Sequence, residues 1–85
     1  MPITRFVWTV HASDRLSERG LTRSAVEAAS REGHGLRATN DGEADWRVDN
    51  GRLVVIYDYD ERADVSTVRI VSVWLKRRKH LTRYK

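Results

Sequence analysis

The stretch that decides the fold is VSTVRIVSVWL, residues 65–75. Its β-branched and aromatic side chains predict the longest strand in the chain. Apolar residues occupy both parities of this strand, which indicates a central position in a sheet that is covered on both faces. Arg69 and Ser72 interrupt the apolar pattern. Because an unpaired charge or hydroxyl inside a sheet is costly, each of these residues either has a partner or points into a site.

The spacing of Arg69 and Ser72 raises a question of geometry. Residues three apart on a regular strand point to opposite faces, so both can enter one site only if a β-bulge lies between them. The alternative for Ser72 is a buried, hydrogen-bonded hydroxyl.

Upstream, residues 6–10 (FVWTV) favour a short first strand. Residues 11–20 (HASDRLSERG) favour a helix that Ser13 could cap and that Gly20 ends in a left-handed conformation. Thr22 then caps a second helix over residues 23–32, whose small residues suit close packing on a sheet.

From residue 36 the hydrophobic period changes to two, and turn-forming clusters separate four strand-like segments. This pattern predicts an α+β fold with chain order β-α-α-β-β-β-β and a four-stranded antiparallel meander. Asn50-Gly51 favours a two-residue type I′ turn. The residues from Lys76 onward either extend the last strand or form a short C-terminal helix.

Length and composition indicate one domain spanning residues 1–85 of a soluble, cytoplasmic protein. The chain has no cysteine, and no apolar run approaches the roughly 20 residues that span a bilayer. We therefore expect no disulfide, no thiolate metal site and no membrane partner.

The net charge of +4 is distributed unevenly along the chain. Residues 1–75 contain more acids than arginines, whereas the last ten residues contain six cations and no acid. These cations are Lys76, Arg77, Arg78, Lys79, Arg83 and Lys85. Such a run is a solvated tail, a phosphate-binding surface or a surface for an acidic protein. Trp74 and Tyr84 accompany it, which favours nucleic acid because aromatic faces can stack on bases.

A second group of candidate residues lies on the first predicted helix. His11, Arg15 and Arg19 recur every four residues and share one helix face, which is suggestive of an anion site. The alternative is a solvated stripe in which Asp14 and Glu18 pair with the arginines. Arg47 is a further candidate, because it points away from the face that its neighbours Trp46 and Val48 share.

The remaining polar residues give no metal or cofactor motif. Asp58, Asp60, Glu61 and Asp64 lie around a predicted turn and are interpreted as solvated, and His34 between two glycines is interpreted as a loop residue. We expect no metal and no cofactor. RNA carries its own nucleophile in the 2′-hydroxyl, so its cleavage needs only a proton acceptor, a proton donor and cations around the phosphate.

Two motifs resemble a known family. H-A-x-x-R-L-x-x-R-G (residues 11–20), followed by a second helix and a sheet, resembles a family of small nuclease and toxin domains, and the closing segment, Arg69-Ile70-x-Ser72 with a basic stretch and then Tyr84, is similar to BrnT ribonuclease toxins. These toxins belong to the superfamily that groups barnase, EndoU, colicin nucleases and RelE-type toxins. Phe6-x-Trp8 is also like the opening of BrnT toxins.

The resemblance implies two N-terminal helices on a curved antiparallel sheet and metal-independent RNA cleavage. It also implies a cognate antitoxin that covers the site, in an oligomer with the toxin. By motif position, His11, Arg15, Arg69 and Ser72 would be catalytic. The residues expected to bind RNA or its phosphates are Arg19, Arg47, Trp74, Lys76, Arg77, Arg78, Lys79 and Tyr84.

Two other functions remain open from the sequence. One is a non-catalytic basic module that binds nucleic acid or protein through the tail. The other is a degenerate toxin fold that is kept for binding its partner.

Overall fold

The computed structural model describes residues 3–60 and 66–76, which form two α-helices and a five-stranded sheet. The helices are α1 (Val10–Arg19) and α2 (Arg23–Gly33), and a short 3₁₀ turn (His34–Leu36) follows α2. The strands are β1 (Arg5–Trp8), β2 (Ala38–Thr39), β3 (Trp46–Asp49), β4 (Leu53–Tyr59) and β5 (Thr67–Leu75).

The sheet is mixed, with strand order β1-β5-β4-β3-β2. β1 pairs parallel to β5, and the other neighbours are antiparallel. The α+β class is confirmed, but the prediction of a four-stranded antiparallel sheet is wrong because β1 joins the sheet as a fifth strand. A period of two identifies a strand and its buried face, but it does not identify the neighbour with which the strand pairs.

The central position predicted for β5 is confirmed, since β5 lies between β1 and β4. Val68, Ile70 and Val73 of this strand are fully buried. Buried β-branched side chains of this kind stabilise a central strand by about 1.5–3 kcal/mol each relative to exposure.

The helix α1 begins earlier than predicted. Thr9, rather than Ser13, is its N-cap, and the Thr9 hydroxyl accepts a hydrogen bond of 3.1 Å from the Ala12 amide. Because Thr9 directly follows β1 in an extended conformation, the first strand ends at Trp8 and Val10 is already helical. The predicted end is confirmed, with Gly20 at φ 66°.

The helix α2 has the predicted cap. The hydroxyl of Thr22 accepts from the Ala25 amide at 3.1 Å. Both helices pack on the same face of the sheet, which we call the helix face. Its core residues are Ala12, Leu16, Val26 and Ala29 from the helices and Val48, Leu53, Val55, Tyr57, Val68, Ile70 and Val73 from the strands.

The other side of the sheet, which neither α1 nor α2 covers, is called the distal face. Its residues alternate along the strands with the core residues of the helix face. They include Arg5, Arg47, Asp49, Val54, Ile56, Asp58, Arg69, Ser72 and Trp74. Val54 and Ile56 are buried there with 1% and 5% exposure, so β4 is shielded from water on the distal face at these two positions.

The turn between β3 and β4 lies where Asn50-Gly51 predicts it, but its type differs. Gly51 has φ 88°, whereas no other type of residue in the described ranges has a positive φ, so Asn50 is not in the left-handed region that a type I′ turn requires. Instead, the Asn50 side-chain oxygen accepts from the amides of Arg52 and Leu53, each at 2.9 Å. An Asx-type turn of this kind uses the side chain in place of a backbone acceptor.

Candidate nucleic-acid interface

A β-bulge in β5 decides where its polar side chains point. Ile70 opposes Tyr57 of β4 and Ser72 opposes Ile56, which leaves Val71 as one extra residue in β5. Arg69 opposes Asp58. Because residues 56 and 58 of β4 share a face, the bulge brings Arg69 and Ser72 to the same face of the sheet. The bulge that the sequence required for a common site is present.

The hydroxyl of Thr9 joins this bulge to the start of α1. It donates a hydrogen bond of 3.3 Å to the carbonyl of Val71 while it accepts from the amide of Ala12. One side chain therefore satisfies a helix N–H and the carbonyl of the extra residue.

Five of the predicted site residues lie together on the distal side of the sheet. They are Arg47 on β3, Arg69, Ser72 and Trp74 on β5, and Lys76 directly after β5. Arg47, Arg69 and Lys76 are exposed, Trp74 is half-buried and Ser72 is 7% exposed. The set combines three cations, an indole and a hydroxyl, which are groups that contact phosphates and bases.

Arg69 is paired with a carboxylate. Its Nη2 lies 3.3 Å from Oδ2 of Asp58. The other carboxylate oxygen of Asp58 accepts from the Asp45 amide at 2.6 Å. The interpretation of Asp58 as a solvated turn residue is wrong, because β4 extends to Tyr59 and the Asp58 side chain is only 16% exposed.

A second carboxylate, Asp49, pairs with the other two cations. Lys76 Nζ lies 2.8 Å and Arg47 Nη2 3.8 Å from Asp49 Oδ2. The hydrogen bond from Lys76 and that from the Gly51 amide lower the pKa of Asp49 below its usual value. These ion pairs are partly exposed, and such pairs contribute only about 0–1 kcal/mol. A phosphate group can therefore compete for the cations.

The three candidates on α1 form a separate group. His11, Arg15 and Arg19 lie on the flank of α1 opposite Ser13, whose hydroxyl contacts Arg23 of α2 at 3.5 Å. Arg15 forms a 2.7 Å ion pair with Glu18, as in the alternative interpretation of a solvated stripe. His11 is exposed. Within residues 3–60 and 66–76, no hydrogen bond or ion pair links this group to Arg69 or Lys76.

The remaining predicted residues are Arg77, Arg78, Lys79 and Tyr84, which lie outside the described residues. The C-terminal strand extension or helix predicted after Lys76 also lies outside them.

A buried polar cluster that the sequence did not indicate lies on the helix face. His34 is 6% exposed, and its Nδ1 lies 2.7 Å from the hydroxyl of Tyr57. Its Nε2 lies 3.4 Å from the hydroxyl of Tyr59. The guanidinium of Arg37 stacks 4.3 Å from the ring centroid of Trp46 and 5.7 Å from that of Tyr59.

The electrostatics of this cluster follow from its burial. Burial, with a smaller contribution from Arg37, lowers the pKa of His34 below its usual value. Burial raises the pKa of Tyr57 to about 12. A neutral imidazole with its proton on Nε2 fits both phenols, because the Tyr57 hydroxyl then donates to Nδ1. Tyr57 is fully buried and His34 is 6% exposed, so the hydrogen bond between them is shielded from solvent and stabilises the fold.

The interpretation of His34 as a loop residue is therefore wrong. The sequence signal that could have identified the cluster is the alternation Tyr57-x-Tyr59, which places two phenols on one face beside Trp46. Such a pattern predicts apolar packing equally well, and the burial of His34 depends on contacts with β4 that are distant in sequence.

The described residues contain neither a membrane-spanning helix nor a metal-binding group. No helix within residues 3–60 and 66–76 is both long and apolar enough to cross a bilayer. In the same ranges, no three His, Cys, Asp or Glu side chains come together as a metal-binding group.

Comparisons with protein-family models, curated proteins and solved structures found no match for this chain.

Proposed function

We propose that the chain is the toxin component of a toxin–antitoxin system and acts as a metal-independent endoribonuclease. The observation that carries the proposal is the bulge at Val71, which places Arg69 and Ser72 on one face of the sheet. Arg47, Trp74 and Lys76 lie on the same side. The motif similarity to BrnT toxins implies the reaction type, which is metal-independent cleavage of RNA. The distal face carries cations, a hydroxyl and an indole, which are groups that suit this reaction.

Cleavage of RNA through its 2′-hydroxyl depends strongly on cations around the scissile phosphate. A guanidinium holds two phosphate oxygens in a fixed fork and stabilises the charge that develops in the transition state. Arg69 can take this role because its side chain is 52% exposed and, among residues 3–60 and 66–76, its guanidinium pairs with a single carboxylate, that of Asp58. Trp74 supplies an aromatic face for a base next to the scissile bond.

The proposal includes two partners, RNA and a cognate antitoxin that covers the distal face in an oligomer with the toxin. It places the protein in the cytoplasm, where its RNA target is found. The catalytic roles of His11 and Arg15 in this proposal rest on the motif resemblance alone.

The test is cleavage of single-stranded RNA by the purified protein in EDTA. Wild type should produce fragments that end in a 2′,3′-cyclic phosphate. Arg69→Ala should lower the rate by 10²-fold or more, because removing one electrostatic donor typically costs about 2.7–4 kcal/mol. Arg23→Ala is the matched control, since Arg23 stacks on Trp8 on the helix face and should leave the rate unchanged. Absence of cleavage by wild type would contradict the proposal.

A second candidate is a basic module that binds nucleic acid without cleaving it. The observation that favours it is that three cations of the distal face, Arg47, Arg69 and Lys76, pair with Asp49 or Asp58, whereas residues 77–85 contain cations and no acid. Binding would then depend on the tail. This candidate predicts that replacing Arg77, Arg78 and Lys79 together with Gln removes salt-sensitive RNA binding. Arg69→Gln would leave that binding intact.

A further inference from the structure

We infer that Asp58, rather than His11, is the group that takes the proton from the RNA 2′-hydroxyl. The inference rests on the proposed function and names a catalytic residue for it. Its basis is a contact: within the described part of the chain, Asp58 is the carboxylate that touches Arg69, the residue expected to hold the scissile phosphate.

The geometry of the reaction limits where the proton acceptor can lie. The attacking 2′-oxygen is bound to the carbon next to the one that carries the phosphate, so its acceptor lies within a few ångströms of the phosphate-binding cation. Asp58 Oδ2 is 3.3 Å from Arg69 Nη2. Among the described histidines, His34 is buried on the helix face and His11 is on α1. Neither contacts Arg69 through a hydrogen bond.

A second hydrogen bond, made by the carboxylate oxygen that does not face Arg69, fixes the position of the Asp58 side chain. The Asp45 amide donates to Oδ1 of Asp58, which leaves Oδ2 directed at Arg69. The side chain is 16% exposed, so it is largely shielded from water and yet reachable from the distal face. A carboxylate with one oxygen anchored and the other at the phosphate site has the orientation that a general base needs.

Substrate binding would change the partner of Asp58. A phosphate that enters the guanidinium fork of Arg69 competes with Oδ2, and it releases this oxygen from its ion pair. The released carboxylate oxygen is then beside the bound nucleotide.

The proton of the 2′-hydroxyl passes to Asp58 Oδ2, and the 2′-oxygen forms a bond to phosphorus. The bond between phosphorus and the 5′-oxygen breaks, and water supplies the proton to the leaving oxygen. The products are a 2′,3′-cyclic phosphate and a 5′-hydroxyl, and no oxidant or reductant is needed.

The decisive variant is Asp58→Asn in the full chain, assayed with single-stranded RNA in EDTA. The amide oxygen still accepts from the Asp45 amide, so the local fold is kept, but the side chain can no longer take a proton. We expect kcat to fall about 10²- to 10⁴-fold. We expect RNA binding to stay equal or become tighter, because Arg69 loses a competing carboxylate. A purely structural role for Asp58 would weaken binding together with kcat.

Asp45→Asn is the matched control. It removes one negative charge beside Asp58 while keeping the backbone amide that holds the carboxylate, and its rate should match wild type. His11→Ala tests the competing proton acceptor that the motif resemblance implies.

Cleavage at the wild-type rate in Asp58→Asn, or loss of cleavage in His11→Ala, overturns the role of Asp58 and leaves the proposed function standing. Absence of any cleavage by wild type overturns both.

Discussion

At the residue scale, His34 shows how burial sets the charge of a side chain. The ring lies between the hydroxyls of Tyr57 and Tyr59, and both its burial and the nearby Arg37 disfavour the protonated form. The folded state therefore binds a proton at this ring less readily than the unfolded state does. Stability should depend on pH in the range where histidine titrates.

The first prediction concerns this dependence. Because the pKa of His34 is lowered in the folded protein, its contribution to the free energy of unfolding is complete above the unfolded value of 6.5 and is lost as the pH falls below it. We expect urea denaturation to show lower stability at pH 5.5 than at pH 7.5. His34→Gln should reduce that difference. His11→Gln is the control, because His11 is exposed; an equal reduction in both variants would contradict the assignment.

The second prediction concerns the end of α2, where the chain passes close to β3. A Cβ built on Gly33 would overlap Cγ1 of Val48, which is 2% exposed and has no room to move. Gly33→Ala should destabilise the protein by about 1–3 kcal/mol, the usual cost of overpacking. Gly35→Ala should change stability by no more than about 0.5 kcal/mol, because nothing lies within 4 Å of its Cβ. Thermal unfolding of both variants measures the contrast.

At the element scale, the junction of β1, α1 and β5 is the part of the fold that arranges the distal face. Thr9 caps α1 and also donates to the carbonyl of the bulged Val71. Thr22 caps α2 through the same kind of hydrogen bond, to Ala25, and makes no bond to the sheet among the described contacts. Comparing substitutions of the two threonines therefore distinguishes the loss of a helix cap from the loss of the hydrogen bond that supports the bulge.

The third prediction uses this pair. Thr22→Val should cost about 0.5–2 kcal/mol, the usual value for a lost N-cap. Thr9→Val should cost about 1 kcal/mol more, since it also removes the hydrogen bond to Val71. Thr9→Asp keeps the acceptor for the helix but cannot donate, so it should loosen the bulge alone. Amide hydrogen exchange of residues 70–73 should become faster in both Thr9 variants and stay unchanged in Thr22→Val; equal exchange in all variants would show that Thr9 does not support the bulge.

At the scale of the whole molecule, the distribution of charge determines which parts of the protein would attract and bind RNA. On the distal face, Asp58 and Asp49 offset the charges of Arg69, Lys76 and Arg47. The net charge of +4 therefore comes mainly from the six cations of the last ten residues. Binding should combine general attraction by the tail with local contacts on the distal face.

The fourth prediction separates these two contributions by their salt dependence. Each cation that neutralises a phosphate of single-stranded RNA adds about 0.7 to the slope of log K against log salt. Arg69→Gln should lower the slope by about this amount, and Arg23→Gln should leave it unchanged. Fluorescence anisotropy with a labelled RNA between 50 and 200 mM salt measures both slopes. Identical slopes for Arg69→Gln and wild type would exclude a phosphate contact by Arg69.

The local pattern of side chains was enough to predict several features of this protein. It predicted both helices, the cap at Thr22, the end of α1 at Gly20, the central position of β5 and the turn at residues 50–51. These features depend on neighbours within a few residues, on hydrophobic period and on backbone preference, all of which are readable along the chain.

Only the tertiary structure decided how these elements combine. The parallel pairing of β1 with β5, the bulge at Val71, the burial of His34 and the contact of Asp58 with Arg69 each join residues distant in sequence. Strand pairing and side-chain burial depend on which surfaces meet, and several arrangements satisfy the same alternating pattern. The sequence therefore determined which residues could form a phosphate site, and the folded sheet decided which of them share a face.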